Sequence, residues 1–323
     1  MILFDNPPQC LYFYDMNKWD KQRQAYKEMK PYYYHLSSDG WKEGLLFHTV
    51  EQFAYGMILM GLLTLRYGVV IFDFVLMPNH IHILLKGSGE QCLQAFDYFR
   101  KKLSARLVKD GYPPLPDDYG FVLIPVESEE QMRVNILYLA RNPYEKNMAV
   151  PGGYPWGTAY LHGSTLATFI RGRRVEHMKQ RELEAWTCTR TPVPSSWEFH
   201  PQLGLLPGCF IDQSMFTRLF PTPKQYETHL IKDYESFVQL GKNLNESVVF
   251  TREEVQDMVQ ECITKYYPGN RIGTLTPEEK GRLSVALFNT YNLPASQLAE
   301  ALSMPEYLVK QFLYAKDYGK QRR

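Results

Sequence analysis

The order in which strand-like and helix-like segments follow one another between residues 31 and 142 limits the fold of this chain more than any other feature. Tyr32-Tyr33-Tyr34-His35-Leu36 is an aromatic, strand-like run that ends in the turn signal Ser38-Asp39-Gly40. Thr49 is placed to cap a helix over 50–66, with Gln52 at its third position in the manner of a capping box. After Gly68, residues 69–77 are apolar apart from Asp73 and rich in β-branched and aromatic side chains, which predicts a central strand buried on both faces. Pro78-Asn79 turns the chain into a second apolar strand over 80–86, and Gly87-Ser88-Gly89 leads into a helix over 90–109. A proline-rich loop at Pro113, Pro114 and Pro116 precedes a strand over 121–126. Ser128 then caps a helix that runs to about Asn142, where Pro143 disfavours further helical geometry. The order β-α-β-β-α-β-α predicts an α+β fold, a ferredoxin-like antiparallel sheet with helices on one face and the other face left for a substrate.

At 323 residues and 45% hydrophobic content the chain has enough apolar material for about two domains. Residues 1–30 form an N-terminal extension, 31–160 carry the βα pattern, and 161–224 are rich in Pro, Gly and Trp and are expected to form an irregular, bridging insertion. The span 225–323 reads as a helical C-terminal domain. Thr276-Pro277-Glu278-Glu279 starts a helix that reaches Tyr291, and short helices over 296–302 and 305–314 have the spacing of a helix-turn-helix, a unit that reads DNA or simply packs. Five cysteines without a C-x-x-C pair argue against a zinc ribbon or a disulfide framework and for a reducing, cytoplasmic setting. The start of the chain does not read as a signal peptide, and the apolar stretch 57–65 is too short to span a bilayer.

The formal net charge of +1 excludes a generally basic surface. Basic residues are instead clustered, and Arg100, Lys101 and Lys102, like Arg171, Arg173 and Arg174, are candidates for contact with phosphate, as are Lys320, Arg322 and Arg323 at the end of the chain. Each cluster is equally readable as a solvated face.

The chemistry centres on Asn79-His80-Ile81-His82. On a strand, side chains alternate with period two, so both imidazoles leave the same face and converge on one point. Two histidines inside an apolar run are hard to bury without a shared partner, and a metal ion is the partner they suit. Its third ligand has to come from elsewhere. On the helix after Ser128, the apolar set Met132, Ile136, Leu139 and Ala140 defines the core-facing stripe, while Tyr138 lies roughly 200° around from Ile136, with Asn142 one turn further on the same side. Both are expected to point away from the core, the Asn142 amide oxygen toward the metal and the Tyr138 hydroxyl toward a phosphate bound there. Two imidazoles and an amide oxygen suit Mg²⁺ or Mn²⁺ and would also accept Zn²⁺. His35, within its aromatic run, is expected to be a packing residue. Tyr144 and Tyr154 are rival nucleophiles that lack the i, i+4 relation to Asn142.

These residues carry a resemblance. Met77-Pro78-Asn79-His80-Ile81-His82-Ile83-Leu84-Leu85 resembles the HUH signature of the REP-associated tyrosine transposases, which are single-tyrosine HUH enzymes. Tyr138-Leu139-Ala140-Arg141-Asn142-Pro143 resembles that family's helix motif, and Tyr154-Pro155-Trp156-Gly157-Thr158 its following Y-P-W-S-S stretch. The likeness spans residues 31–160, which it reads as an HUH transposase and nuclease domain. It implies His80 and His82 as metal ligands, Asn142 as the third and Tyr138 as the nucleophile. The implied reaction is metal-dependent cleavage of single-stranded DNA near a hairpin through a 5′-phosphotyrosine link, with rejoining of strands, and transposition as the outcome. Either a monomer or a homodimer is compatible with it. The chain differs from the family in lacking an arginine after the first strand, where it has Ser37-Ser38-Asp39-Gly40-Trp41, and in having Gly157 for Ser. A domesticated, non-cutting DNA-binding regulator is the main alternative, and a replication initiator or relaxase is another.

Overall fold

A computed structural model describes residues 18–38, 44–143, 152–162, 166–232, 234–244, 250 and 252–318. Helix α1 (Lys18–Lys27) precedes β1 (Tyr32–Ser38), α2 (Val50–Tyr67), β2 (Val70–Leu76), β3 (Ile81–Gly87), α3 (Gly89–Lys109), β4 (Phe121–Pro125) and α4 (Glu129–Arg141). The four strands form one antiparallel sheet in the order β2-β3-β1-β4, the ferredoxin-like arrangement that the segment order implies. The expected cap at Thr49 is present. Thr49 accepts from the Gln52 amide, although the Gln52 side chain reaches back to His48 N rather than to Thr49. Ser88, read in the sequence only as part of a loop, caps α3 with a complete capping box.

Register sorts the side chains between the two faces of the sheet. Tyr34, Leu36, Ile83, Leu85, Phe121 and Leu123 share the face covered by α2 and α3, where Phe96 of α3 packs on Phe121. Tyr33, His35, Ser37, His82 and Leu84 share the other. That second face is not open, because α4 lies across it.

β2 departs from expectation. It is an edge strand of the sheet rather than a central one, yet all of it but Val70 is buried. Its outer edge is closed by irregular backbone: Leu76 N donates to Trp156 O at 2.8 Å, Thr158 N to Phe74 O at 3.1 Å, and Asp212 N to Ile71 O at 2.8 Å. Covering segments thus satisfy the edge that a fifth strand would have paired. The approach at Gly157 is close, since a Cβ there would stand 2.7 Å from Phe74 O.

Asp73, the polar break in the β2 sequence, is buried and accepts a hydrogen bond from the Thr158 hydroxyl. His162, buried and stacked on Phe216, brings its Nε2 to 3.7 Å from the other carboxylate oxygen. Burial, followed by the Asp73 charge, pushes the pKa of the Tyr226 phenol up. Thr158→Val keeps the shape but strips the carboxylate of a donor, with an expected cost of about 1–3 kcal/mol. Urea unfolding reads this as a lower midpoint with an unchanged slope.

Beyond α4 the span expected to be irregular carries short elements: α5 (Leu166–Phe169), β5 (Arg173–Arg174), α6 (Gln180–Thr187), β6 (Glu198–His200), β7 (Gly204–Leu205) and α7 (Ser214–Leu219). β5, β6 and β7 form a small antiparallel sheet that packs on α2. Gly204, at φ +72°, makes the approach possible, because a Cβ would fall 2.1 Å from Ala54 O. This second cover explains why α2 is buried along residues 52–63 rather than along one stripe.

The remainder is helical: α8 (Pro223–Lys232), α9 (Tyr234–Leu244), α10 (Arg252–Tyr266), α11 (Pro277–Tyr291), α12 (Ala295–Leu302) and α13 (Glu306–Tyr318). The Thr276 box opens α11 as its sequence predicts, and Ser303, in the left-handed region at φ 52°, turns α12 into α13. Lys320, Arg322, Arg323 and the Asp39-Gly40-Trp41 segment lie outside the described residues. No described helix is long and apolar enough to cross a membrane.

Candidate metal centre and tyrosine

The turn at Pro78-Asn79 and the first residues of β3 deliver the two histidines. His80 stands just before the strand and His82 is its second residue, so alternation puts both imidazoles on the face beneath α4, with ring centroids 4.8 Å apart. Asn142, at the C-cap of α4, comes down between them. Its side-chain oxygen is 3.2 Å from His80 Nε2 and its side-chain nitrogen 3.2 Å from His82 Nε2. Asn79 Oδ1 lies 2.9 Å from His80 Nδ1. With that nitrogen donating to the amide, a neutral His80 turns its lone pair at Nε2 toward Asn142.

These separations can be tested against a metal. Donor atoms about 2.0–2.2 Å from a shared ion lie roughly 3.0–3.4 Å from one another at cis or tetrahedral angles. The 3.2 Å separation of His80 Nε2 from Asn142 Oδ1 meets that requirement, while His82 Nε2 faces the side-chain nitrogen of the same amide. In addition, His80 Nε2 and Asn142 Oδ1 then face each other as two acceptors, an arrangement that a cation resolves. Among the described residues no three of His, Cys, Asp and Glu gather into a metal-binding group, so the set that fits consists of two imidazoles and a carboxamide.

Tyr138 is one turn before Asn142 on α4, and the Asn142 amide N–H donates to its carbonyl. Its ring meets His82 edge-on at 5.6 Å between centroids and His35 at 6.3 Å. The two residues share a side of α4, as their spacing requires, but that side does not face solvent. Tyr138 is only 4% exposed, His82 is fully buried and Asn142 is half-buried. The expectation that they point away from the core is corrected here. Residues 134–141 are all buried because α4 is held between the sheet and the C-terminal helices, so the helix has two apolar faces instead of one.

His35 also differs from its reading as a packing residue. Its Nε2 lies 2.9 Å from His82 Nδ1, and its Nδ1 is hydrogen-bonded to Asn135 Oδ1. Asn135, Tyr138 and Asn142 stand at i, i+3 and i+7, one polar stripe of α4. That spacing is a signal the sequence carries and apolar periodicity alone overlooks. The Tyr154 hydroxyl is committed to the sheet edge: it donates to Leu76 O at 2.8 Å, and burial raises its pKa. Tyr144 lies outside the described residues.

The basic clusters are placed elsewhere. Arg100 donates to the carbonyls of Pro116 and Asp117, Lys102 lies over the Tyr98 ring and Lys101 is exposed, all on α3, which covers the opposite face of the sheet. Arg171 caps the carbonyls of Ala167 and Ile170, Arg173 pairs with Glu182, and Arg174 with Glu176 and Glu198. None of these contacts brings a cation to the histidines.

No protein-family profile and no curated protein matches the chain. Among solved structures it is similar to a REP-associated tyrosine transposase bound to a REP hairpin, with 14% identity, a TM-score of 0.34, and coverage of 42% of this chain and 81% of that one.

Proposed function

We propose that this chain is a metal-dependent, single-tyrosine endonuclease and transposase acting on single-stranded or hairpin DNA. The observation that carries the reading is the convergence of two histidine nitrogens on the Asn142 carboxamide at 3.2 Å, with Tyr138 one helical turn away. His80, His82 and Asn142 would hold a divalent ion, Mg²⁺ or Mn²⁺, which when bound polarises the scissile phosphate and stabilises charge on the leaving oxygen. Tyr138 Oη attacks phosphorus and loses its proton to solvent. The bond to the 3′ oxygen breaks, and that oxygen takes a proton from water to leave as a 3′-hydroxyl. The phosphotyrosine link conserves the bond, so another 3′-hydroxyl can reverse the step on a second strand without a nucleotide cofactor.

Helix α13 completes the reading as the element that meets duplex DNA. Tyr307, Lys310, Gln311 and Tyr314 form an exposed stripe at i, i+3, i+4 and i+7, on the second helix of a tight helix pair. In this reading the basic residues of α3 and of the 171–174 segment contact backbone phosphates away from the cut. The setting is the cytoplasm, and a homodimer is compatible with the reading.

One observation favours the second reading, a non-cutting DNA-binding regulator: Tyr138 is nearly inaccessible, so DNA has to displace what covers it. The test is incubation of the protein with end-labelled hairpin DNA from the flanks of its own gene, with and without Mn²⁺ or Mg²⁺. A denaturant-resistant protein–DNA adduct that requires the metal supports the enzyme. DNA that is bound at nanomolar to micromolar protein and never cut selects the regulator.

A further inference from the structure

We infer that His35 and Asn135 are positioning residues that fix the tautomer of His82, so that its Nε2 rather than its Nδ1 offers the lone pair to a metal. The inference rests on the reading of His80, His82 and Asn142 as the metal site. The chain of hydrogen bonds starts from a group whose polarity cannot change. Gln131 O, a backbone carbonyl, can only accept, and the Asn135 side-chain nitrogen donates to it at 2.7 Å. The Asn135 amide is thereby oriented with its oxygen toward His35, since the flipped amide would set two oxygens against each other.

The rest follows from valence. With Asn135 Oδ1 as acceptor, the proton of neutral His35 resides on Nδ1, and its Nε2 carries the lone pair. His82 Nδ1, 2.9 Å away, must then be the donor. A neutral His82 holds no second proton, so its Nε2 lone pair is the one directed at Asn142. The relay is enclosed: His35 and His82 are fully buried and Asn135 is 5% exposed, so water does not compete for these bonds. Outer partners of this kind set both the tautomer and the orientation of a ligating imidazole. His35 and Asn135 stand 100 residues apart in sequence, and only β1 and α4 bring them together.

The experiment measures Mn²⁺ affinity by calorimetry and the protonation of each His82 ring nitrogen by ¹⁵N NMR of histidine-labelled, metal-free protein. His35→Phe, which keeps a flat ring and removes the acceptor, is expected to weaken Mn²⁺ binding by about 10–100-fold. His35→Gln, which returns an oxygen near the Nε2 position, should recover most of that loss, a rescue that a purely steric role for His35 would not give. Where His35→Phe fails to fold, the Asn135 pair decides: Asn135→Asp keeps the acceptor and holds or tightens binding, and Asn135→Leu weakens it. Unchanged affinity in folded His35→Phe, or a His82 proton on Nε2 in the parent, overturns the relay. A parent that binds no Mn²⁺ sinks the metal reading, and the ring-nitrogen spectrum then decides the relay by itself: a proton on Nδ1 upholds it and a proton on Nε2 rejects it.

Discussion

Tyr138→Phe is expected to abolish the covalent protein–DNA adduct, a loss of more than about 10³-fold, while DNA binding and thermal stability stay close to those of the parent. The separation of effects follows from the packing. The Tyr138 ring, and not its hydroxyl, makes the edge-on contacts with His82 and His35, and phenylalanine preserves that ring. The atom removed is the oxygen proposed as the nucleophile. The Tyr154 hydroxyl is already committed to the Leu76 carbonyl. An adduct that persists in Tyr138→Phe would move the nucleophile to another tyrosine, and mapping the modified peptide by mass spectrometry would identify it.

Glu254→Ala is expected to be the most destabilising single change considered, at about 3–5 kcal/mol, with a fall in the unfolding midpoint of roughly 4–7 °C. Arg141, the residue before Asn142, is buried and paired with Glu254 of α10 at 2.8 Å. It also donates to Leu230 O and lies over the rings of Phe237 and Phe250, at 5.0 and 5.6 Å from their centroids. Removing the carboxylate leaves a guanidinium uncompensated in an apolar setting. Replacing both partners, as in Arg141→Met with Glu254→Leu, should return most of the stability, because neither charge then has to be buried alone. Calorimetric melting of the parent, the two single variants and the double variant gives the coupling energy directly, and additive losses would show that the pair contributes nothing as a pair. The ion pair also ties the C-terminal helices to the last turn of α4, immediately beside Asn142. Loss of Mn²⁺ affinity in Glu254→Ala under conditions where the protein remains folded is therefore expected as well.

Much of the sheet and of the site is local information, and the sequence alone determines it. Alternation into β3 places His80 and His82 on one face, the i, i+4 relation places Tyr138 and Asn142 on one side of α4, and Thr49, Ser128 and Thr276 mark helix starts because a capping oxygen acts within three residues. What neighbours do across the fold is not local. Whether β2 is central or an edge strand depends on Gly157 and Ile211 arriving beside it, and an apolar run reads the same in either case. Tyr138 is expected at the surface on the assumption that α4 has one buried face, and only α9 and the helices around it supply the second. The meaning of His35 is likewise a tertiary matter. One histidine in an aromatic strand has no chemistry of its own until β-sheet register sets it beside His82 and α4 lowers Asn135 onto it. Local periodicity fixes the direction of a side chain, whereas the partner it meets is set by long-range packing, and both the polarity of the relay and the burial of the tyrosine come from that packing.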